Sequence, residues 1–214
     1  MTMVILTRHG HVAWHSPERF RGRAALPLTD KGQRQAAATA AFIQSAWPEA
    51  VAVFTSPMGR CIDTGAAIAA ALGVPAETHD GLADLDYGAW QGLTRDEVEA
   101  RWPAEAADWY SAPHLAVIPQ GETLPEVAAR ATRAVRSIIA RHAPSATIVV
   151  VGHDSCNRAL LCLALGLPLS RYWRIGQDAC AVNALKFADD DFVVRLLNGT
   201  AHLAGIDNSD RRAP

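Results

Sequence analysis

The stretch "VILTRHGHVAWH", residues 4–15, decides how the rest of the chain is read. Four apolar or β-branched residues run straight into Arg8, His9 and Gly10, and His11 and His15 follow. A short apolar run of this kind reads as a buried strand. A strand that ends in arginine and histidine side by side is either a basic surface turn or the delivery of a nucleophile and a phosphate clamp. The neighbouring segments decide between the two.

Working outward, "MVILT" (3–7) is the first predicted strand, and a helix begins near Thr29 or Asp30 in "LTDKGQRQAAATAAFIQSAW". "AVFTS" (52–56) is a second strand. The next helix is expected to take Ser56 as its N-cap and Pro57 as its first residue, with Gly73 closing it and Pro75 beyond. "ETLPEVAARATRAVRSIIARH" (122–142) is a helix whose Thr123 and Glu126 have capping-box spacing. "ATIVVVGH" (146–153) is the most strand-like segment, with a helix after it through "NRALLCLALG". "ACAVNALKFA" and "DFVVRLLNG" read as a terminal pair of strands joined at "DDD".

Strands alternating with helices predict an α/β fold with a mainly parallel sheet. In such sheets ligands bind at the carboxyl ends of the strands. Arg8 and His9 follow the first strand, Ser56 and Arg60 the second, and His153 ends the strand 146–153. Three strands therefore deliver arginine or histidine to one edge. That set suits a tetrahedral oxyanion, because guanidinium groups present several donors in a fixed fork. A neutral imidazole is also a competent nucleophile toward phosphorus.

The 214 residues suit one domain, half of them hydrophobic and a fifth charged. A net charge of −2 argues against a nucleic-acid partner held by phosphate neutralisation. No apolar run approaches the ~20 residues of a membrane span. Arg8 interrupts the opening run, which lacks a signal-peptide layout. Cys61, Cys156, Cys162 and Cys180 form no CxxC pair and read as reduced thiols, so a cytoplasmic protein is expected. Lys31 and Lys186 are the only lysines, so positive charge is almost all arginine. Codon bias explains that as well as oxyanion recognition does.

"LTRHGHVAW", "RGRAALPLTDKGQRQA", "TSPMGRCIDTG", "LADLDYGAWQGLT", "PQGETLPEVAAR" and "VVVGHDSCNRALL" together resemble the histidine phosphatase superfamily, also called phosphoglycerate mutase-like. The likeness covers roughly residues 3–165, with the motifs in the family's order. It implies a three-layer α/β/α sandwich with a mainly parallel central sheet. The expected layout is one domain over 1–205, a small helical cap around 90–122 and a flexible tail over 206–214. It also implies His9 as nucleophile, oriented by the Gly10 carbonyl. Arg8 and Arg60 would bind the phosphoryl oxygens, and His153 would add a third contact and stabilise the transition state. A carboxylic acid of "LADLDYG" would protonate the leaving oxygen and then activate water. Neither metal nor cofactor is expected, because the arginines supply the positive charge.

Three positions depart from the family pattern. Asp84 stands where a glutamate is usual, with Asp86 as runner-up for the acid. Val12 replaces a frequent hydroxyl. His15 replaces a frequent asparagine and could still donate to phosphate. Arg21 and Arg23 lie near the pocket in relatives and are candidate substrate contacts. Glu122 could reach the site or simply cap a helix. His11 and His15 raise a metal site, but no Cys or carboxylate pattern supports one. Cys156 reads as a packed helix cysteine. Trp90, Trp102, Trp109 and Tyr110 are either a lid over an apolar leaving group or the core of the cap.

These residues predict a metal-independent phosphomonoesterase acting on a small phosphorylated metabolite through phosphohistidine. The alternatives are a phosphoglycerate mutase and a phosphate-binding module without turnover. Mutases of the family it resembles usually carry a longer insertion after "YGAWQGLT"; only about thirty residues separate that segment from "GETLPEV" here, so the resemblance implies water rather than a second sugar acid as acceptor. A homodimer through an edge strand is compatible with the sequence.

Overall fold

The computed structural model describes residues 1–206, so the predicted tail lies outside the described residues apart from Ile206. Six strands form one sheet: β1 (Thr2–Arg8), β2 (Ala50–Thr55), β3 (Ala76–Thr78), β4 (Thr147–Gly152), β5 (Val182–Ala188) and β6 (Asp191–Gly199). Their order is β3-β2-β4-β1-β5-β6. The first four run parallel, and β5 and β6 add an antiparallel edge. The mainly parallel sheet read from the sequence is thus present. The exposed three-residue β3 has no apolar pattern and gave no sequence signal.

The central strands are buried on both faces, and their side chains alternate between two cores. Val4, Leu6, Phe54, Ile148 and Val150 point into a core shared with α5 (Leu124–Ala140) and α6 (Asp154–Ala164). Ile5, Val53, Val149 and Val151 point into a second core with α1 (Asp30–Ala46) and α2 (Gly59–Leu72). Two helical layers therefore enclose the sheet. On α5 the buried residues Leu124, Val127, Ala131, Ala134, Val135, Ile138 and Ile139 recur at helical spacing. Each large one adds roughly 1.5–3 kcal/mol by leaving water. Two short helices, α3 (Arg95–Arg101) and α4 (Pro103–Ser111), bury Val98, Ala106 and Trp109 in the α5–α6 core.

The caps follow the sequence in all but one case. Thr29 caps α1 by accepting from the Gly32 amide at 3.1 Å, and Thr123 forms the capping box with Glu126. Gly73 ends α2 with φ of +69°. The start of α2 differs from expectation: Met58, not Ser56, is its N-cap. The cause is that the Ser56 hydroxyl is taken by His153 Nε2 at 2.7 Å. Ser56 also accepts from the Met58 amide at 3.3 Å in a turn ahead of the helix.

The strand register positions the site. Arg8 pairs with Gly152, while Thr7 and Thr55 both pair with Val151. The residues after these ends, His9, His153 and Ser56, thus leave three neighbouring strands at one level. No helix of the described residues is long and apolar enough to cross a membrane.

Candidate active site

His9, Arg60, His153 and Asp84 meet in one buried cluster. The His9 ring nitrogen Nδ1 lies 2.7 Å from its neighbour's carbonyl, that of Gly10. A carbonyl can only accept, so Nδ1 carries the proton and Nε2 keeps its lone pair. That lone pair accepts from Arg60 Nε at 3.2 Å. Burial, reinforced by the charge of Arg60, holds the His9 pKa well below its ordinary 6.5. The imidazole is therefore neutral and its Nε2 nucleophilic at neutral pH.

Arg60, in the first turn of α2, is wholly buried. Its guanidinium donates to the carbonyls of Ala24 at 2.9 Å and Gly22 at 2.6 Å, which locks the segment after β1. Nη2 also reaches Asp84 Oδ2 at 2.9 Å. His153 completes the group, with Nδ1 3.3 Å from Asp84 Oδ2 and its ring 5.2 Å from that of His9. Its pKa is lowered to about 3, because burial and Arg60 outweigh the opposing pull of Asp84. For Asp84 the balance is reversed. Burial favours its neutral form, yet His153, Arg60 and a Ser155 hydrogen bond hold it below the usual carboxylate range.

Arg8 is buried at the end of β1, where Nη1 donates to the Gln177 carbonyl at 2.6 Å. Its Nη2 lies 2.9 Å from His15 Nε2. Arg8, His9 and His15 thus form one layer. Gly10 bonds through its amide to Thr64 Oγ1 at 3.2 Å.

Beside Asp84 opens a cavity of about 420 Å³. Its wall carries Phe20, Tyr87, Trp109, Tyr110, Tyr172 and Trp173, with Arg19, Arg21 and Arg95 among them. Glu18, Asp154 and Ser155 complete the wall, so aromatic and charged groups share it about equally, and its volume is that of a small-molecule site.

Residues 4–200 match the histidine phosphatase superfamily (branch 1). The chain belongs to this superfamily. Membership makes it an enzyme of the histidine phosphatase type. It is similar to Phosphoserine phosphatase 1 of Hydrogenobacter thermophilus, with 29% identity over 95% of each chain. It is also 33% identical to Bifunctional protein Rv2228c of Mycobacterium tuberculosis over 94% of this chain. It spans only 55% of that relative's length. The solved structure of Bacillus stearothermophilus YhfR superposes with a TM-score of 0.89 at 28% identity, covering 95% of this chain and all of that one.

Within this histidine phosphatase fold, the other candidates separate. Asp86 stays outside the buried cluster: it pairs with Arg23 at 3.3 Å and accepts from the Gly88 amide. Glu122 accepts from Arg130 at 2.7 and 2.8 Å, from Arg23 at 3.2 Å and from the Asp86 amide at 3.1 Å. Arg23 is therefore held by two carboxylates, whereas Arg21 is buried on the cavity wall. His11 bonds Thr29 Oγ1 at 2.8 Å and stacks on His15 at 4.6 Å. Cys156 packs in α6 with its thiol 3.0 Å from the Ala83 carbonyl. Trp109 and Tyr110 line the cavity, while Trp90 is core.

Sequence reasoning did not single out Thr64, Arg130, Ser155 or Gln177. Arg130 donates to the carbonyls of Gly81, Ala83 and Asp84 at 3.1, 2.6 and 2.9 Å, which pins the loop that carries Asp84. Its only sequence signal was a capped helix rich in arginine.

Proposed function

We propose that this chain is a metal-independent phosphomonoesterase that hydrolyses a small phosphorylated metabolite through a phosphohistidine on His9. The observation that carries the reading is the held tautomer of a neutral, buried His9, with Nε2 facing Arg60. In the first step Nε2 attacks phosphorus, and the P–N bond forms as the P–O ester bond breaks. Asp84 gives its proton to the leaving oxygen. Water then attacks the phosphohistidine while the Asp84 carboxylate takes its proton. The P–N bond breaks and its electron pair returns to Nε2. Arg8, Arg60 and His153 bear the phosphoryl oxygens, His15 supports Arg8, and the positive charge of the arginines replaces a metal.

Asp84 must be protonated to act as an acid, yet Arg60 and His153 favour its carboxylate. A bound phosphoryl dianion resolves this conflict. It draws on the same guanidinium and adds negative charge beside Asp84, which raises that pKa. Substrate thereby readies its own acid.

The leaving group is assigned to the aromatic cavity beside Asp84, with Arg21 on its wall. Arg23 and Glu122 hold each other and Asp86 outside that wall and are not assigned to substrate. The relative named for phosphoserine supports a small phosphorylated substrate.

The test is turnover of p-nitrophenyl phosphate in EDTA from pH 4 to 8. The native chain is expected to turn over, and His9→Ala to fall to background. Asp84→Asn is expected to lose about 10²–10⁴-fold on an ester with a poor leaving group. Retained activity in His9→Ala, or a requirement for metal, would refute the proposal. Phosphoryl transfer to 3-phosphoglycerate in preference to water would make the enzyme a mutase.

A further inference from the structure

The two oxygens of Asp84 have different neighbours. Oδ2 faces Arg60 Nη2 at 2.9 Å and His153 Nδ1 at 3.3 Å. Oδ1 accepts from the Leu85 amide at 2.9 Å and from the Ser155 hydroxyl. Ser155 is buried, lies in the first turn of α6 and contributes to the cavity wall. It follows His153 by two positions, so one strand–helix junction presents both an imidazole and a hydroxyl to the same carboxylate.

Oδ2 also accepts, from Arg60 Nη2, but a bound phosphoryl group draws on that guanidinium; Oδ1 then keeps its two donors, and the proton of the neutral acid goes to Oδ2. We propose that Ser155 is a positioning residue that fixes the Asp84 carboxylate so that Oδ2, the oxygen beside His153 and Arg60, carries the transferable proton. Aspartate has one methylene fewer than glutamate, so its aim depends on how firmly its oxygens and its loop are held. Ser155 holds the carboxylate, and Arg130 holds the backbone carbonyl behind it. This role rests on Asp84 being the acid.

The charged and titratable groups near Asp84 come from several elements. Arg60 faces it from α2 and His153 from the β4–α6 junction, with the Cys61 and Cys156 thiols, kept neutral by burial, close by. Arg21 faces it from the segment after β1, and Arg130 of α5 reaches its carbonyl. Ser155 donates to Asp84 without bearing a charge, so removing its hydroxyl changes the aim of the acid without removing a charge.

The experiment compares Ser155→Ala and Ser155→Thr on two esters. p-Nitrophenyl phosphate has a leaving group that hardly needs a proton, whereas glycerol 2-phosphate has one that does. Ser155→Ala is expected to lose roughly tenfold in kcat on the glycerol ester and little on the nitrophenyl ester. Ser155→Thr should restore most of the loss. Removing a donor to the carboxylate should also move the basic limb of kcat to higher pH in Ser155→Ala. Equal losses on both esters, or no loss on either, overturn the positioning role. Asp84→Asn separates the two readings. If it also fails to discriminate between the esters, Asp84 is not the acid and both readings fall. If it discriminates and Ser155→Ala does not, only the positioning role falls. Should Ser155→Ala not fold, Ser155→Cys keeps the side-chain size, weakens the donor and gives the same comparison.

Discussion

At the residue scale, the site is built from histidines kept neutral at a cost in acid tolerance. Burial lowers His9, His15 and His153, the last to about 3. In the unfolded chain each titrates near 6.5. Below that pH the unfolded chain gains protons that the folded protein cannot take. Stability is thus at its full value above pH 6.5 and falls as pH drops toward the folded values. Each such group adds a slope approaching ~1.4 kcal/mol per pH unit. Urea denaturation at pH 7, 6 and 5 should give a falling midpoint, with a shallower fall in His153→Asn. A midpoint independent of pH over that range would contradict the assignment. The histidines were legible because a histidine at the end of an apolar run is conspicuous. Ser155 was not, since a hydroxyl in the first turn of a helix looks like an ordinary cap. Its bond to Asp84 depends on a loop 71 residues away in sequence.

At the element scale, the loop after β1 is pressed against the first turn of α1. A Cβ at Gly32 would lie 2.2 Å from the His11 carbonyl oxygen, and one at Gly10 would lie 2.5 Å from the Gly32 carbonyl oxygen. Glycine on both sides lets backbone meet backbone, and the Gly10 carbonyl that orients His9 depends on that fit. Gly32→Ala should therefore cost about 1–3 kcal/mol through overpacking and should also lower turnover, because the loop must move. Gly59→Ala in α2, where a Cβ meets nothing within 4 Å, is the control and should be neutral or stabilising. Equal denaturation midpoints for the two variants would count against the close approach. Most elements were readable from apolar runs and caps. β3 was not, being three exposed residues long, and the start of α2 was misplaced because Ser56 serves His153 rather than the helix.

At the scale of the whole molecule, the sheet carries the residues of the proposed phosphate chemistry and the segments around it build the cavity. The aromatic wall joins Tyr87, Trp109 and Tyr110 to Tyr172 and Trp173, which lie over sixty residues further along the chain. Of these, only Trp109 and Tyr110 belonged to the aromatic group singled out in the sequence. Trp173 escaped it because nothing local links "RYW" to the segment around Trp109. The indole Nε1 of Trp173 donates to the Trp109 carbonyl at 2.7 Å, and the two rings meet edge to face at 5.3 Å. That arrangement has an optical consequence. Two fluorophores share the wall that a leaving group would touch, so emission should shift when the cavity fills. Titration with phenylphosphonate, which has no ester bond to hydrolyse, should change the spectrum saturably, and Trp173→Phe should remove much of that change. An unaltered spectrum at saturating ligand would mean that the aryl group lies elsewhere. A saturable shift would make the wall proposed for the leaving group a reporter as well, in light, of each time the cavity is filled or emptied.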